Sequence, residues 1–285
     1  MKVLVFGGTG QLGTALCRVF DENAIDNLPI GRNTTLYGLR VSPSDSSSVS
    51  NLMELYRPTH VINLVALTDV DLCEESYSTA LEINACIAQR IAEATYCKSA
   101  RFLHISTDQV YSLNRFNSED NVAPLNLYGH TKLIGERLIQ KANNQALILR
   151  TNFIGRSYAN TKRRSLTDWM NQTLQRNEIL SLFSDVVFNP VSTEFLCHLI
   201  AKLLLRDESG IYNVGSSGAI NKYELGIYIA KAQGFDAGLV RPISVSDLGL
   251  KAKRPNCMLM SCQKFSNTFD IPLPTIQETL LSISS

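Results

Sequence analysis

Short apolar runs separated by longer amphipathic stretches organise the first half of the chain. The run from Val3 to Phe6 is continuous and stops at a glycine pair, which is typical of a strand buried on both faces. Similar runs predict further buried strands, and apolar residues at helical spacing predict helices between them. The predicted strands cover residues 2–6, 28–31, 60–65, 101–106 and 146–150. The predicted helices cover residues 12–19, 49–56, 79–97 and 128–142.

This alternation of strands and helices predicts an α/β fold, in which a parallel sheet carries helices on both faces. We expect a Rossmann-type dinucleotide-binding domain over residues 1–150, with ligands at the carboxyl ends of its strands. Beyond residue 150 the pattern is less regular, with helices predicted at 166–176, 194–205 and 223–233 and strands at 180–183 and 211–214. We expect a segment near 186–215 to return to the sheet, and residues 151–185 and 216–285 to form a smaller C-terminal substrate-binding domain.

Charge and composition exclude several classes of partner. The 285 residues include 27 Lys plus Arg and 26 Asp plus Glu, so no overall field attracts nucleic acid or an anionic membrane. Apolar runs are shorter than the ~18 residues of a membrane span, and no secretory leader precedes them, so we expect a cytoplasmic protein. The seven cysteines are scattered without a C-x-x-C pair, which favours reduced thiols over disulfides or zinc.

Three glycines, Gly7, Gly10 and Gly13, follow the first predicted strand and open the first helix. At such a turn a side chain would obstruct the tight backbone, the approach of a pyrophosphate or the packing of the helix on the strand. The amides and the positive end of the helix stabilise a bound phosphate. This position, rather than the glycines alone, predicts a dinucleotide site.

The end of the second predicted strand distinguishes between nicotinamide cofactors. An acid there would bind the ribose 2′-hydroxyl of NAD, but none ends this strand, and Asp26 lies at its other end. Arg32 can instead pair with a 2′-phosphate, so we expect NADPH, with NADH as the alternative. In the competing interpretation Arg32 is a solvated loop residue.

A set of proton-handling side chains follows. Ser106, Thr107 and Asp108 end a predicted strand, where such a sheet presents its chemistry. Tyr128 and Lys132 are four residues apart and share one helix face, so an ammonium near the phenol would favour its ionised form. Tyr128 could then donate a proton to a ketone oxygen while Thr107 stabilises the developing alkoxide.

The order of glycine turn, Ser-Thr strand tip and Tyr-x-x-x-Lys resembles the extended branch of the short-chain dehydrogenase/reductase superfamily. Residues 106–111 (Ser-Thr-Asp-Gln-Val-Tyr) and 124–136 (Pro-Leu-Asn-Leu-Tyr-Gly-His-Thr-Lys-Leu-Ile-Gly-Glu) are similar to segments of the dTDP-4-dehydrorhamnose reductase family. Ile83-Asn84 and Lys253-Arg254-Pro255 also match it, so the resemblance covers almost the whole chain.

The resemblance implies roles for individual residues. The catalytic triad would be Thr107, Tyr128 and Lys132, with Tyr128 and Lys132 also reaching the cofactor. The cofactor pyrophosphate would be held by Gly7, Gly10, Gln11, Leu12 and Gly13. The adenosine side of the cofactor would be lined by Val65, Ala66 and Leu67. The substrate would meet Thr107, Asp108, Phe153 and Arg254, where Phe153 replaces the tryptophan of rhamnose-forming members. Independently of the resemblance, the positive charges of the basic loop 162–164 make it a further candidate for the substrate diphosphate, although such a loop is usually only solvated.

No metal is predicted, because Ala15 stands where some bacterial members carry a glutamate that helps to bind magnesium between subunits. The four histidines show no paired ligand spacing, and we expect structural roles for them. A homodimer is one expectation for the assembly, although the residues leave the oligomeric state open.

The implied function is NADPH-dependent reduction of the 4-keto group of a nucleotide-diphospho-6-deoxy-4-ketohexose, for deoxysugar, surface polysaccharide or O-antigen lipopolysaccharide synthesis. Gln109 cannot transfer a proton as the acid of a 4,6-dehydratase does, which disfavours dehydration. Two alternatives stay open: another nucleotide-sugar reductase or epimerase, and a non-catalytic NADP-binding regulatory protein of the same fold. The identity of the nucleotide and the sugar is not determined by the residues.

Overall fold

The computed structural model of this chain describes residues 1–36, 39–158 and 164–284. Its strands are β1 (Lys2–Phe6), β2 (Asp26–Ile30), β3 (Thr35–Leu36), β4 (Leu39–Arg40), β5 (His60–Asn63), β6 (Arg101–Thr107), β7 (Leu147–Thr151), β8 (Phe153–Ile154), β9 (Leu180–Phe183), β10 (Val187–Phe188), β11 (Val191–Ser192), β12 (Gly210–Val214), β13 (Ile220–Asn221) and β14 (Val240–Ile243). Its α-helices are α1 (Gln11–Glu22), α2 (Ser46–Tyr56), α3 (Val70–Glu75), α4 (Tyr77–Leu81), α5 (Ile87–Cys97), α6 (Leu127–Ala142), α7 (Leu166–Gln175), α8 (Thr193–Leu203), α9 (Lys222–Ala232), α10 (Gln263–Phe269) and α11 (Ile276–Ser282).

The central element is a six-stranded sheet in the order β12-β7-β6-β5-β1-β2. Every neighbouring pair of its strands is parallel. The strand order reverses between β1 and β5, and such a reversal opens a crevice at the carboxyl ends of the two strands. The predicted α/β fold with a Rossmann-type parallel sheet is therefore confirmed.

Helices cover both faces of this sheet. Alternate residues of a strand point to opposite sides, and both sets are apolar, so each face must be shielded from water. In β1, Val3 and Val5 pack with the apolar faces of α1 and α8. Leu4 and Phe6 belong to the opposite cluster, with side chains of α2 and α5. The unbroken apolar run of the first strand is thereby explained, since neither face meets water.

The predicted helix over residues 79–97 is interrupted. The structure has α4, a π-helical turn over Glu82–Cys86, and then α5. Such turns add one residue to a helical turn and are frequent at functional sites. This one carries the buried Asn84 toward the candidate site described below.

A third apolar cluster forms in the C-terminal half, where α7, α9 and α11 contribute with β9 and β14. The chain returns to the main sheet between the segments that form this cluster. There β12 joins the edge of the sheet, and α8 packs on the same face as α1. Phe265 and Phe269 of α10 also pack into the core of the main sheet. The division into two domains at the boundaries given above stays a prediction.

No helix in the described part of the chain has the length and apolar character needed to cross a membrane.

Candidate active site

The turn after β1 is closed to side chains. Gly7 has a φ of +81°, and a Cβ there would lie 2.9 Å from the carbonyl carbon of Leu64. A Cβ on Gly13 would lie 2.2 Å from the carbonyl oxygen of Gly7. Gly10 is the N-cap of α1 and brings no side-chain acceptor to the first amides of that helix. A cradle of bare backbone at a helix N-terminus fits the pyrophosphate of a dinucleotide.

Of the other predicted cofactor residues, Gln11 and Leu12 form the first turn of α1, with Leu12 buried. Arg32 is exposed just beyond the carboxyl end of β2. A Cβ on Gly31 would meet Oγ1 of Thr9 at 2.3 Å, so this end of β2 lies directly against the glycine turn. Arg32 belongs to none of the ion pairs among the described residues, and its contact with a phosphate stays a prediction.

The predicted adenosine-side residues Val65, Ala66 and Leu67 follow β5 and are partly buried. The N–H of Leu67 donates to Oδ1 of Asn84 at 2.7 Å, and Nδ2 of Asn84 donates to the Leu67 carbonyl at 3.2 Å and to Oγ1 of Thr131 at 3.0 Å. The π-helical turn thus fixes the loop that forms one wall of the crevice. In the sequence, only the family resemblance points to Asn84.

Thr107 and Tyr128 lie on elements that touch at the carboxyl edge of the sheet. Thr107 ends β6, and Tyr128 is in the first turn of α6. The N-cap of α6, Asn126, accepts from the N–H of Gly129 at 2.8 Å and donates from Nδ2 to Oε1 of Gln109 at 3.0 Å. A Cβ on Gly129 would lie 2.3 Å from the Gln109 carbonyl oxygen, so the start of α6 packs tightly beside the strand tip.

Asp108 is a buried carboxylate next to Thr107. The Thr107 hydroxyl donates to its Oδ1 at 3.2 Å, and Nδ2 of Asn152 donates to its Oδ2 at 2.6 Å. Burial raises the pKa of Asp108 to about 6, against the opposing effect of these donors. The carboxyl group thus orients the Thr107 hydroxyl, and its charge depends on pH near neutrality.

Lys132 lies one turn after Tyr128 on α6 and is 1% exposed. Its Nζ donates to the Ile105 carbonyl at 2.8 Å and lies 3.0 Å from Nε2 of His104. Burial lowers the pKa of Lys132 to about 8, whereas the charge of Glu136 raises it. Tyr128 and Lys132 therefore lie one turn apart on α6, with Nζ of Lys132 held by β6, and their catalytic roles stay a prediction.

A cavity of about 270 Å³ opens beside the strand tip and is lined from both halves of the chain. The lining residues are Thr68, Asp69, Val70, Gln109, Val186, Lys222, Arg254, Pro255 and Met258. The predicted substrate residue Arg254 is among them, and one of its amino groups is held by Oδ2 of Asp71 at 2.6 Å.

Lys222, the first residue of α9, lines the same cavity and was not predicted from the sequence. Its ammonium lies 5.4 Å from the centre of the Phe183 ring. Burial and the positive charge of Arg254 lower the pKa of Lys222, and the Asp108 carboxylate raises it. Two cations therefore converge on one cavity, a relationship for which the local sequence around Lys222 gives no signal.

Phe153 lies in β8, which pairs with β11, and it packs partly buried against the core of the main sheet. The cavity is lined by other residues, so contact of Phe153 with a sugar stays a prediction. Lys162 and Arg163 of the predicted basic loop lie outside the described residues.

Comparison with known proteins places these features in context. The model of the family described as "RmlD substrate binding domain" matches residues 1–284. The spore coat polysaccharide biosynthesis protein SpsK of Bacillus subtilis is 28% identical over 264 residues, covering 91% of this chain and 89% of that protein. The dTDP-4-dehydrorhamnose reductase of Escherichia coli K12 is 29% identical over 299 residues, covering 97% of this chain and 95% of that protein.

A crystal structure of dTDP-4-dehydrorhamnose reductase from Bacillus anthracis, in complex with NADP, superposes with a TM-score of 0.90. The two chains are 26% identical, and the match covers 99% of each.

Proposed function

Because this chain belongs to the RmlD substrate-binding family, we propose that it is an NADPH-dependent reductase of a 4-keto sugar nucleotide. The substrate is a nucleotide-diphospho-6-deoxy-4-ketohexose of the dTDP-4-dehydrorhamnose type. One observation carries the proposal: the glycine turn, Thr107 and the start of α6 with Tyr128 lie along the same carboxyl edge of the sheet, in a chain that matches the reductases nearly end to end.

The cofactor is held by the backbone of the glycine turn and by the first turn of α1. Arg32 binds the 2′-phosphate, which favours NADPH over NADH. The complex of the B. anthracis relative with NADP supports this choice. When bound, NADPH supplies the hydride that reduces the ketone carbon.

The chain's own residues handle the proton. Tyr128 donates its hydroxyl proton to the ketone oxygen, and the Thr107 hydroxyl donates a hydrogen bond to the oxygen as negative charge develops. For this donation the hydroxyl turns from the Asp108 carboxylate toward the substrate. Lys132 favours the ionised form of Tyr128 when it carries a charge.

Lys222 and Arg254 bind the diphosphate of the substrate. Both line the cavity beside the strand tip, and charge-assisted hydrogen bonds from two cations suit two adjacent phosphates. Gln109, in the same lining, accepts from Asn126 and supplies no acid for dehydration. Simple reduction is the chemistry that this lining supports.

The product enters the assembly of a glycan. The name of the B. subtilis relative, a spore coat polysaccharide biosynthesis protein, supports surface polysaccharide synthesis. A role in O-antigen lipopolysaccharide, a cytoplasmic location and a homodimer are the finer parts of this proposal.

The test is incubation of the purified protein with NADPH and a panel of 4-keto-6-deoxyhexoses linked to dTDP, UDP, GDP or CDP. We expect loss of reduced-nicotinamide absorbance with one member of the panel, and formation of its 4-hydroxy product by mass spectrometry. The Tyr128→Phe variant serves as the control. Binding of NADPH without consumption in the presence of every sugar nucleotide would contradict catalysis and favour the regulatory alternative.

A further inference from the structure

A row of buried polar side chains runs beneath the candidate active site. It consists of Asn63 on β5, His104 on β6 and Lys132 on α6, each at most 1% exposed. Asn63 and His104 are direct partners on neighbouring strands, with Nδ2 of Asn63 3.1 Å from Nδ1 of His104. Nε2 of His104 lies 3.0 Å from Nζ of Lys132. The expected structural role of His104 therefore includes contact with a proposed catalytic residue.

The direction of the first hydrogen bond is fixed by the backbone. The N–H of Val65 donates to Oδ1 of Asn63 at 3.0 Å, which identifies that atom as the amide oxygen. The amino group of Asn63 therefore faces His104, and since it can only donate, Nδ1 of His104 must accept. A neutral imidazole that accepts at Nδ1 carries its proton on Nε2. Burial is the main reason why the pKa of His104 lies well below its usual range, so the ring is neutral.

The second hydrogen bond then distinguishes between the two forms of Lys132. The Nε2–H of His104 points at Nζ, which also donates to the Ile105 carbonyl. An ammonium has no acceptor and would oppose one N–H with another, whereas an amine offers a lone pair. The row of side chains thus stabilises the amine and makes the ammonium a stronger acid.

The charged and titratable groups around Lys132 are few. Glu136, one turn further along α6, favours the ammonium, but it is itself held by Arg150 of β7 at 2.7 Å. Tyr128 precedes Lys132 by one turn of the same helix. On β6, His104 faces the amine.

We propose that His104, oriented by Asn63, is a positioning residue that makes the ammonium of Lys132 a ready proton donor to Tyr128. This rests on the proposed function. After the O–H bond of Tyr128 breaks and that of the product alcohol forms, an N–H bond of Lys132 breaks and the Tyr128 O–H forms again. The resulting amine, which accepts from His104, then takes a proton from water.

The first test is the tautomer of His104, measured from its imidazole ¹⁵N chemical shifts in protein without NADPH or sugar nucleotide. Assignment uses the absence of the signal in His104→Gln. We expect a proton on Nε2 and an unprotonated Nδ1. A proton on Nδ1 would overturn the proposal whether or not the protein reduces any sugar.

The second test reverses the orientation with Asn63→Asp. The new carboxylate can accept from both Val65 N–H and an Nδ1–H, so the proton of His104 moves to Nδ1 and Nε2 becomes an acceptor for the ammonium. We expect the Lys132 Cε resonance to titrate at least about one pH unit higher, and the alkaline limb of kcat to move by a similar amount. Asn177→Asp adds the same charge at an exposed position after α7. This control should change neither the Lys132 titration nor the alkaline limb of kcat.

An Asn63→Asp protein with a switched tautomer but an unmoved Lys132 titration would overturn the proposal. Failure of the proposed function looks different: the wild-type tautomer and the shift of the Lys132 Cε titration would appear as expected, but no 4-keto sugar nucleotide would be reduced. If Asn63→Asp does not fold, the position of the proton on His104 in the wild-type protein still tests the proposal.

Discussion

Asn152 donates a 2.6 Å hydrogen bond from Nδ2 to the carboxylate of Asp108, across the tips of the adjacent strands β6 and β7. The same carboxylate accepts from the Thr107 hydroxyl on its other oxygen. The orientation of a proposed catalytic hydroxyl thus depends on a buried acid, and the ionisation of that acid affects both stability and activity.

Asp108 should make stability depend on pH in a defined direction. Folding raises its pKa from 3.8 to about 6, so the folded protein binds this proton more tightly than the unfolded chain. Its contribution is therefore fully present below about pH 4 and lost as pH rises through about 6. The shift corresponds to roughly 3 kcal/mol. In urea unfolding from about pH 4.5 to 7.5, Asp108→Asn should gain stability relative to the wild type as pH rises. If the free energies of unfolding of the two proteins changed in parallel with pH, the raised pKa of Asp108 would be contradicted.

Tyr128→Phe should remove the proton donor while retaining the packing. The ring lies in a small apolar cluster with Cys73 and Ala80, which a phenyl group also fills. We expect kcat to fall by ~10²–10⁴-fold, because general acid catalysis contributes about that much. The Kd for NADPH, measured by fluorescence titration, should change by less than about two-fold. Undiminished turnover would exclude Tyr128 as the acid.

Gly13→Ala should damage both the fold and the dinucleotide site. Its Cβ would lie 2.2 Å from the Gly7 carbonyl oxygen, and relieving this clash would require the backbone of the turn to move. We expect a loss of ~1–3 kcal/mol in the free energy of unfolding, and weaker NADPH binding. Gly249→Ala is the matched control, because nothing lies within 4 Å of its added Cβ. Equal effects of the two substitutions would count against close packing at the turn.

Arg32→Ala should alter the choice of cofactor. Loss of a charge-assisted contact worth ~1.5–3 kcal/mol lowers kcat/KM for NADPH by ~10–100-fold. The value for NADH should stay within about two-fold, because NADH has no 2′-phosphate to bind. Steady-state rates with both cofactors measure the ratio, and an unaltered ratio would remove Arg32 from the site.

Lys222→Met should weaken substrate binding and leave the chemistry intact. Met keeps most of the length of the side chain but cannot pair with phosphate. We expect KM for the sugar nucleotide to rise ~10–100-fold and kcat to change less than about three-fold. Lys231→Met, at the exposed end of the same helix, should behave as the wild type. Similar KM values for the two variants would place the diphosphate elsewhere.

The features that the sequence predicted correctly are those with a local physical cause. Apolar periodicity placed the five strands of the first half to within a few residues, because it follows from which faces of each element are buried. The glycine turn depends on backbone sterics over seven residues, and Tyr128 and Lys132 on the pitch of one helix. Fold class and family resemblance rest on these local rules and were confirmed.

Tertiary structure decided the rest, because hydrogen bonds and charges act over a few ångströms whatever the separation along the chain. Lys222 lines one cavity with Arg254, and the charges of Arg254 and Asp108 act on it, only because the fold brings distant parts of the chain together. The π-helical turn, predicted as uninterrupted helix, is accommodated where Gly135 of α6 approaches the backbone of Asn84. The backbone N–H of Val65, two residues beyond β5, orients the Asn63 side chain that faces His104. The sequence around His104 therefore does not predict which ring nitrogen carries the proton.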